Sequence, residues 1–249
     1  MKHDILLIGT YHKTGTVWLQ RVFMDAAQRM GHSFIENQRE VAKGELRSGF
    51  YQDHHCRFSK DLLAADYVGF RMIRDPRDVV ISGAHYHMKS DEAWLHEPLG
   101  ALSGQSYAQA INAQPDMQSR YIFEAQQVAN ATTRDMIADV SRLPGMITVR
   151  YEDWIADETM QYFGAVMQQL GLTDEECSHA KEAFHRWSLF GRGNKVDAHA
   201  RSGATAQWRS IFTRAVGEAF LAVHGDALVT LGYEDNHDWV LHLPENIND

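Results

Sequence analysis

Ile5-Leu6-Leu7-Ile8-Gly9-Thr10-Tyr11-His12-Lys13-Thr14-Gly15-Thr16-Val17-Trp18 is the stretch on which the reading of this chain turns. Ile5 to Ile8 is a short, uninterrupted apolar run, the mark of a strand buried on both faces of a parallel sheet. Gly9 to Gly15 is a polar turn. From Thr16 the period changes: Leu19, Val22, Phe23, Ala26 and Met30 recur at spacings of three and four, and Gly31 is a stop signal. Strand, glycine-flanked loop and helix in immediate succession is how α/β nucleotide folds open. Such a loop faces a ligand with the first amides of a helix and the positive end of its dipole, a ready anion site. Lys13 adds a mobile charge, and Thr14 and Thr16 add hydroxyl donors. The stretch is not the GxxxxGK[ST] loop of NTPases, because its lysine precedes the second glycine and no Lys-Ser/Thr pair follows Gly15. Alone, a lysine in a glycine-flanked loop fits a solvated turn as well as an anion site.

Working outward, Tyr67–Ile73 reads as a second strand, broken by Asp75-Pro76, and Asp78 is placed to cap a helix over Val79–Met88. Met146–Tyr151 is a third strand after the turn at Pro144-Gly145, followed by a helix through Leu170 that stops at Gly171. Thr173-Asp174-Glu175-Glu176 is a capped helix start. Thr213 caps the last long helix, whose stripe Val216, Phe220, His224, Leu228 and Leu231 belongs to the core. The segments 36–61 and 89–118 are irregular and polar, the character of substrate or lid loops. The alternation predicts one α/β domain over residues 1–249, with a mainly parallel central sheet flanked by helices and a P-loop-like nucleotide site.

The 249 residues are 44% hydrophobic and 23% charged, a soluble globular composition. A net charge of −9 argues against nucleic-acid binding through a broad basic surface, though a few convergent cations can still focus on a small anion. Cys56 and Cys177 form no metal or disulfide framework. No apolar stretch approaches the roughly 18 residues of a membrane span. Cytoplasmic placement, with no nucleic-acid or membrane partner, is the resulting expectation.

Two further blocks give the first one meaning. The chain resembles the 3′-phosphoadenosine-5′-phosphosulfate (PAPS)-dependent sulfotransferases. Their 5′-phosphosulfate loop typically reads TYPKSGTTW, against TYHKTGTVW at Thr10–Trp18, with His12, Thr14 and Val17 as the departures. Arg74-Asp75-Pro76-Arg77-Asp78-Val79-Val80-Ile81-Ser82 is similar to the family's 3′-phosphate segment R-[ND]-P-[RK]-D-x-x-x-S. Arg201-Ser202-Gly203-Ala204-Thr205-Ala206-Gln207-Trp208-Arg209-Ser210-Ile211-Phe212-Thr213 aligns without a gap to RKGxxGDWKxxFT, with Ser202 in place of the second base. The resemblance implies that Lys13 contacts the bridging oxygen and sulfuryl group, that Thr14, Gly15 and Thr16 cradle the phosphosulfate, and that Trp18 stacks on adenine. It further implies that Arg74, Ser82, Arg201, Ser202 and Gly203 hold the 3′-phosphate. Weaker matches, Tyr151-Glu152-Asp153 to YED and Ser188-Leu189-Phe190 to TSF, put Tyr151, Ser188 and Phe190 beside the base.

Sulfuryl transfer also needs a general base with a pKa near working pH, which suits histidine. Many family members place one between the first loop and the Arg74-type strand, where this chain has His54 and His55. His55 is slightly favoured; in an extended segment only one of the two faces the site. Glu36 and Glu40 are the fallback. His85-Tyr86-His87 lies on a predicted helix, where residues two apart do not share a face, so no metal site is expected. The acceptor is a small molecule, a phenol, alcohol, sugar or amine, and the oligomeric state stays open. An ATP- and magnesium-dependent kinase, or a nucleotide-binding module without activity, remain the alternatives.

Overall fold

Four apolar residues and a glycine, all buried, make β1 (Ile5–Gly9) the middle strand of a five-stranded sheet. The computed structural model describes residues 2–36, 46–191 and 203–246. After β1 come α1 (Thr16–Met30), β2 (Ser33–Glu36), β3 (Gly49–Asp53), α2 (Lys60–Ala64), β4 (Tyr67–Ile73), α3 (Pro76–His87), α4 (Tyr107–Asn112), α5 (Met117–Gln126) and α6 (Val128–Arg142). Then follow β5 (Ile147–Arg150), α7 (Tyr151–Ile155), α8 (Gln161–Gln169), α9 (Asp174–Trp187), α10 (Trp208–Ile211), α11 (Arg214–His224) and α12 (Ala227–Thr230). The chain packs as two compact units, Met1–Arg74 with Asp139–Gly203, and Asp75–Ala138 with Ala204–Asp249.

The first unit is the α/β layer. Its strand order is β2-β3-β1-β4-β5, every pairing parallel. Leu6, Ile8, Phe50, Phe70, Met72 and Val149 build one core with Leu19, Val22 and Phe23 of α1, Phe163 of α8 and Phe184 of α9. The last two rings stack at 4.2 Å. Because β1 lies between β3 and β4, the chain leaves it in both directions, and the loop after β1 opens at the carboxyl edge where parallel sheets bind ligands. The expected α/β class with a parallel central sheet flanked by helices is thus found.

Several boundaries differ from the sequence reading. Segment 36–61 holds β3, a fully buried strand beside β1. Its Gln52 and Asp53 hid it from hydropathy: Gln52 donates to the Thr16 carbonyl (3.0 Å), and Asp53 accepts from the amides of His55 and Arg57 (2.8 Å each). Tyr151, expected to end the third strand, opens α7, and the helix expected after it through Leu170 is two, because Asp157 takes the amides of Gln161 and Phe163 and starts α8 afresh. Asp75, not Asp78, caps α3, accepting from the Arg77 amide. The Thr173–Glu176 capping box and the Thr213 cap are present as expected.

The second unit is helical, with Val80, Ile81, Ile111, Tyr121, Val216, Phe220 and Trp239 in its core. Segment 89–118 contributes α4 and buries Leu95, Tyr107 and Ile111, so much of it is core rather than loop. Arg77 is its most constrained charge, with a side chain 2% exposed. It pairs with both Asp75 oxygens (3.0 and 2.8 Å) and with Glu234 (2.5 Å), and lies over the rings of Trp208 (3.5 Å) and Trp239 (4.8 Å). Asp78 accepts from the Trp208 amide (3.1 Å). The carboxylate of Glu124, fully buried, receives Tyr107 Oη (2.7 Å) and faces His87 Nδ1 (2.8 Å).

The predicted stripe Val216, Phe220, His224, Leu228 and Leu231 is buried throughout, though Gly225 divides it between α11 and α12. His224 stacks on Phe220 at 4.0 Å and its Nε2–H donates to the Ala125 carbonyl (2.9 Å). Burial lowers its pKa from 6.5 to about 4, outweighing that hydrogen bond. The unfolded chain therefore takes up a proton at pH values where the folded chain does not, and stability is lost as pH falls from 6.5 toward 4. Between pH 6.5 and 5 the expected loss is about 2 kcal/mol. Urea unfolding at the two pH values measures it, and His224→Leu should flatten that dependence.

Candidate nucleotide and transfer site

Residues 10–15 form a turn that the chain ties from within. Thr14 Oγ1 accepts from the Tyr11 amide (2.9 Å) and donates to the Tyr11 carbonyl (3.0 Å). Thr16 Oγ1 lies 3.0 Å from Thr10 Oγ1 and 3.1 Å from the Tyr11 carbonyl. The two hydroxyls expected to serve a ligand thus also hold the loop's own shape. Gly15 caps α1 at φ 101°, where a Cβ would lie 3.1 Å from the Tyr151 ring, so glycine is needed twice over. Lys13 also adopts a left-handed conformation (φ 64°). The first-turn amides of α1 have no intrahelical acceptor by geometry.

Arg74, at the end of β4, reaches back to this loop. Its Nη1 donates to the Lys13 carbonyl (3.0 Å) and its guanidinium lies 4.5 Å from the centre of the Tyr151 ring. Tyr151 Oη donates to the Gly203 carbonyl (3.1 Å). Trp18 stands edge-on to Tyr151 (5.9 Å) and tilted on Phe184 (5.4 Å). Its buried Nε1 has no hydrogen-bond partner among the described residues. Phe190 packs on Phe184 (6.2 Å), and the Ser188 hydroxyl closes α9 by donating to the His185 carbonyl (2.8 Å). Lys13, Thr14, Gly15, Thr16, Trp18, Arg74, Tyr151, Ser188, Phe190 and Gly203 therefore share the first unit. Ser82 lies on α3 in the second unit. Arg201, Ser202 and Glu40 lie outside the described residues.

The sequence reading missed the layer beneath the loop. Tyr11 Oη donates to Asp139 Oδ2 (2.8 Å), Arg142 pairs with Oδ1 of the same carboxylate (2.5 Å), and Arg71 donates to the Asp139 carbonyl. Burial first, then the neighbouring Cys56 and Asp139, holds the Tyr11 phenol well above its ordinary pKa; the Cys56 thiol is pushed up to about 12, chiefly by burial. Both stay protonated. The available signal was Arg71, a charge inside an otherwise apolar strand.

At the carboxyl edge of β3, His54 and His55 sit in a turn, not in extended chain, because Asp53 gathers the amides of His55 and Arg57. His54 Nε2 lies 3.2 Å from Glu36 Oε1 at the end of β2. Each side chain is about one-third exposed, at 34% and 32%. Since Gly9 pairs with Asp53, His54 stands one residue beyond the register position from which the Lys13 loop departs. His85 and His87 go to separate partners, Tyr121 and Glu124.

Lys13, Arg74 and the first-turn amides of α1 are groups of the kind that pair with phosphate and sulfonate oxygens, and the Trp18 indole N–H is buried without a partner among the described residues. No family model matches the chain, and no curated protein matches it. Solved structures do. A mouse sulfotransferase, SULT7A1, complexed with PAP superposes with a TM-score of 0.58 at 14% identity, covering 94% of this chain and 88% of that one. Retinol dehydratase with retinol and PAP gives 0.57 at 13% identity, covering 90% and 81%. Retinol dehydratase with androsterone and the inactive cofactor PAP gives 0.55 at 13%, covering 90% and 80%. The chain has the fold of SULT7A1 and retinol dehydratase, with its glycine-flanked lysine loop at the carboxyl edge of that fold's parallel sheet.

Proposed function

We propose that this protein is a PAPS-dependent sulfotransferase acting, as one domain over residues 1–249, on the hydroxyl or amine of a small acceptor. The observation that carries the reading is the Lys13 loop: it matches the phosphosulfate motif at six of nine positions, the lysine, glycine and tryptophan among them, and Arg74 holds its carbonyl at 3.0 Å in a fold whose solved examples contain PAP. When bound, PAPS supplies the sulfuryl group, the acceptor oxygen bonding to sulfur while the bond from sulfur to the 5′-phosphate oxygen breaks and its electron pair leaves on that phosphate.

The chain's own residues supply charge, order and a proton acceptor. Lys13 and the α1 amides stabilise the negative charge that spreads over the transferring oxygens. Arg74, Ser82, Arg201, Ser202 and Gly203 serve the 3′-phosphate, and Trp18, Tyr151, Ser188 and Phe190 the adenine side. His54, whose ring nitrogen Nε2 lies 3.2 Å from the Glu36 carboxylate, accepts the acceptor's proton. The retinol and androsterone bound by retinol dehydratase support a small, mostly apolar acceptor bearing a hydroxyl.

Calorimetry tests the reading. PAP is expected to bind without metal and at least about tenfold more tightly than ADP, as loss of a phosphate clamp implies. Tighter binding of ATP with magnesium, or no nucleotide binding, would overturn it in favour of a kinase or an inactive module.

A further inference from the structure

Glu36 and His54 come from different strands, β2 and the turn after β3, and meet by ring nitrogen and carboxylate at 3.2 Å. The sheet enforces the meeting: Glu36 pairs with Gln52 in register, which puts it beside the turn that Asp53 bends. A carboxylate facing Nε2 fixes the imidazole tautomer. Against an ionised Glu36, which can only accept, Nε2 carries the hydrogen and the ring lone pair is on Nδ1. The same carboxylate stabilises the imidazolium formed when Nδ1 takes a proton, an orienting role that a third group commonly plays behind a base.

Such backing matters unequally for different acceptors. A phenol ionises near pKa 10, as tyrosine does, and needs little help to lose its proton. An aliphatic hydroxyl resembles water, near 16, and loses its proton only to a base in the act of transfer. A lone imidazole suffices for the first, whereas a carboxylate-backed imidazole is matched to the second.

We infer that Glu36 is a positioning residue that sets His54 as a base through Nδ1, and that the acceptor class of this enzyme is the aliphatic alcohol. The inference rests on the sulfotransferase reading. Its own step is one proton transfer, from the acceptor O–H to His54 Nδ1, which balances the charge of the sulfuryl transfer described above.

The test uses the full chain in three measurements. First, histidine nitrogen NMR on 15N-labelled protein should show His54 as the Nε2–H tautomer in wild type, with the bias lost in Glu36→Ala. Second, with PAPS present, wild type should sulfate cyclohexanol. Third, Glu36→Gln should lower kcat for cyclohexanol by about 10- to 100-fold, the range typical of removing an orienting partner, and for 4-nitrophenol by about ten times less. KM for PAPS and calorimetric PAP affinity should hold in both variants.

A merely structural Glu36–His54 contact would lower both acceptors equally, or lower thermal stability without changing the tautomer, and either outcome overturns the inference. So does a wild type that sulfates 4-nitrophenol alone or neither compound. Absence of PAP binding by wild type would instead remove the sulfotransferase reading itself, so the two failures are separable.

Discussion

Replacing Lys13 by methionine should lower turnover by about 100- to 1000-fold, the cost typical of deleting one preorganised charge-stabilising donor. Methionine keeps the length and apolar stem of lysine and removes only the ammonium. The loop should survive, since its shape is held by Thr14, Thr16 and the Arg74 bond to the Lys13 carbonyl, all independent of the lysine side chain. The unfolding temperature should therefore stay where it is. A binding measurement sharpens the expectation. PAP lacks the sulfuryl group that the ammonium serves, so its affinity should fall much less than turnover. Arginine at position 13 should not restore activity, because a planar fork cannot stand in for a compact point charge. The check is initial-rate kinetics with the best acceptor from a panel of alcohols and phenols, alongside PAP calorimetry. Turnover within threefold of wild type would remove Lys13 from the site.

Replacing Arg77 by methionine should cost about 3–5 kcal/mol of stability, because Asp75 and Glu234 would keep buried or partly buried charges with their partner gone. For a chain of this size that corresponds to a drop in unfolding temperature of roughly 10 °C. Arg77 stands three residues after Arg74 in the same R-D-P-R-D segment. Their partners differ. Arg74 faces the Lys13 loop from the end of β4, whereas Arg77 is enclosed by Trp208, Trp239, Asp75 and Glu234. Lysine at 77 should lose most of the same stability, since it can neither stack flat on an indole nor bond both Asp75 oxygens at once. Thermal unfolding followed by circular dichroism decides the matter. A variant that melts with wild type would mean that the enclosure contributes nothing net.

Sequence alone yielded those parts of the fold in which local and tertiary preferences agree. Ile5–Ile8, Tyr67–Ile73 and the stripes of α1 and α11 are apolar where they are buried, so their pattern is their environment. It missed β3, whose two buried polar residues find partners in Thr16 and in the turn at His55–Arg57. Nothing in a linear pattern marks a buried polar residue whose partner is remote. The proposed site divides the same way. The Lys13 loop and Arg74 were legible because their chemistry lies in contiguous motifs. The Tyr11–Asp139 anchor and the Glu36–His54 pair were not, because each joins residues that only the fold brings together.

The interleaving of the two units has a consequence for synthesis. β4 pairs with β5 through Phe70 and Ile147, and the whole stretch from Asp75 to Ala138 must leave the ribosome between them. At ordinary elongation rates the edge of β4 waits roughly 4–15 s for its neighbour. An open parallel edge with an unfinished apolar face is a template for aggregation during that interval. Soluble yield in a cell should therefore follow translation speed and chaperone capacity more closely than the stability of the finished molecule.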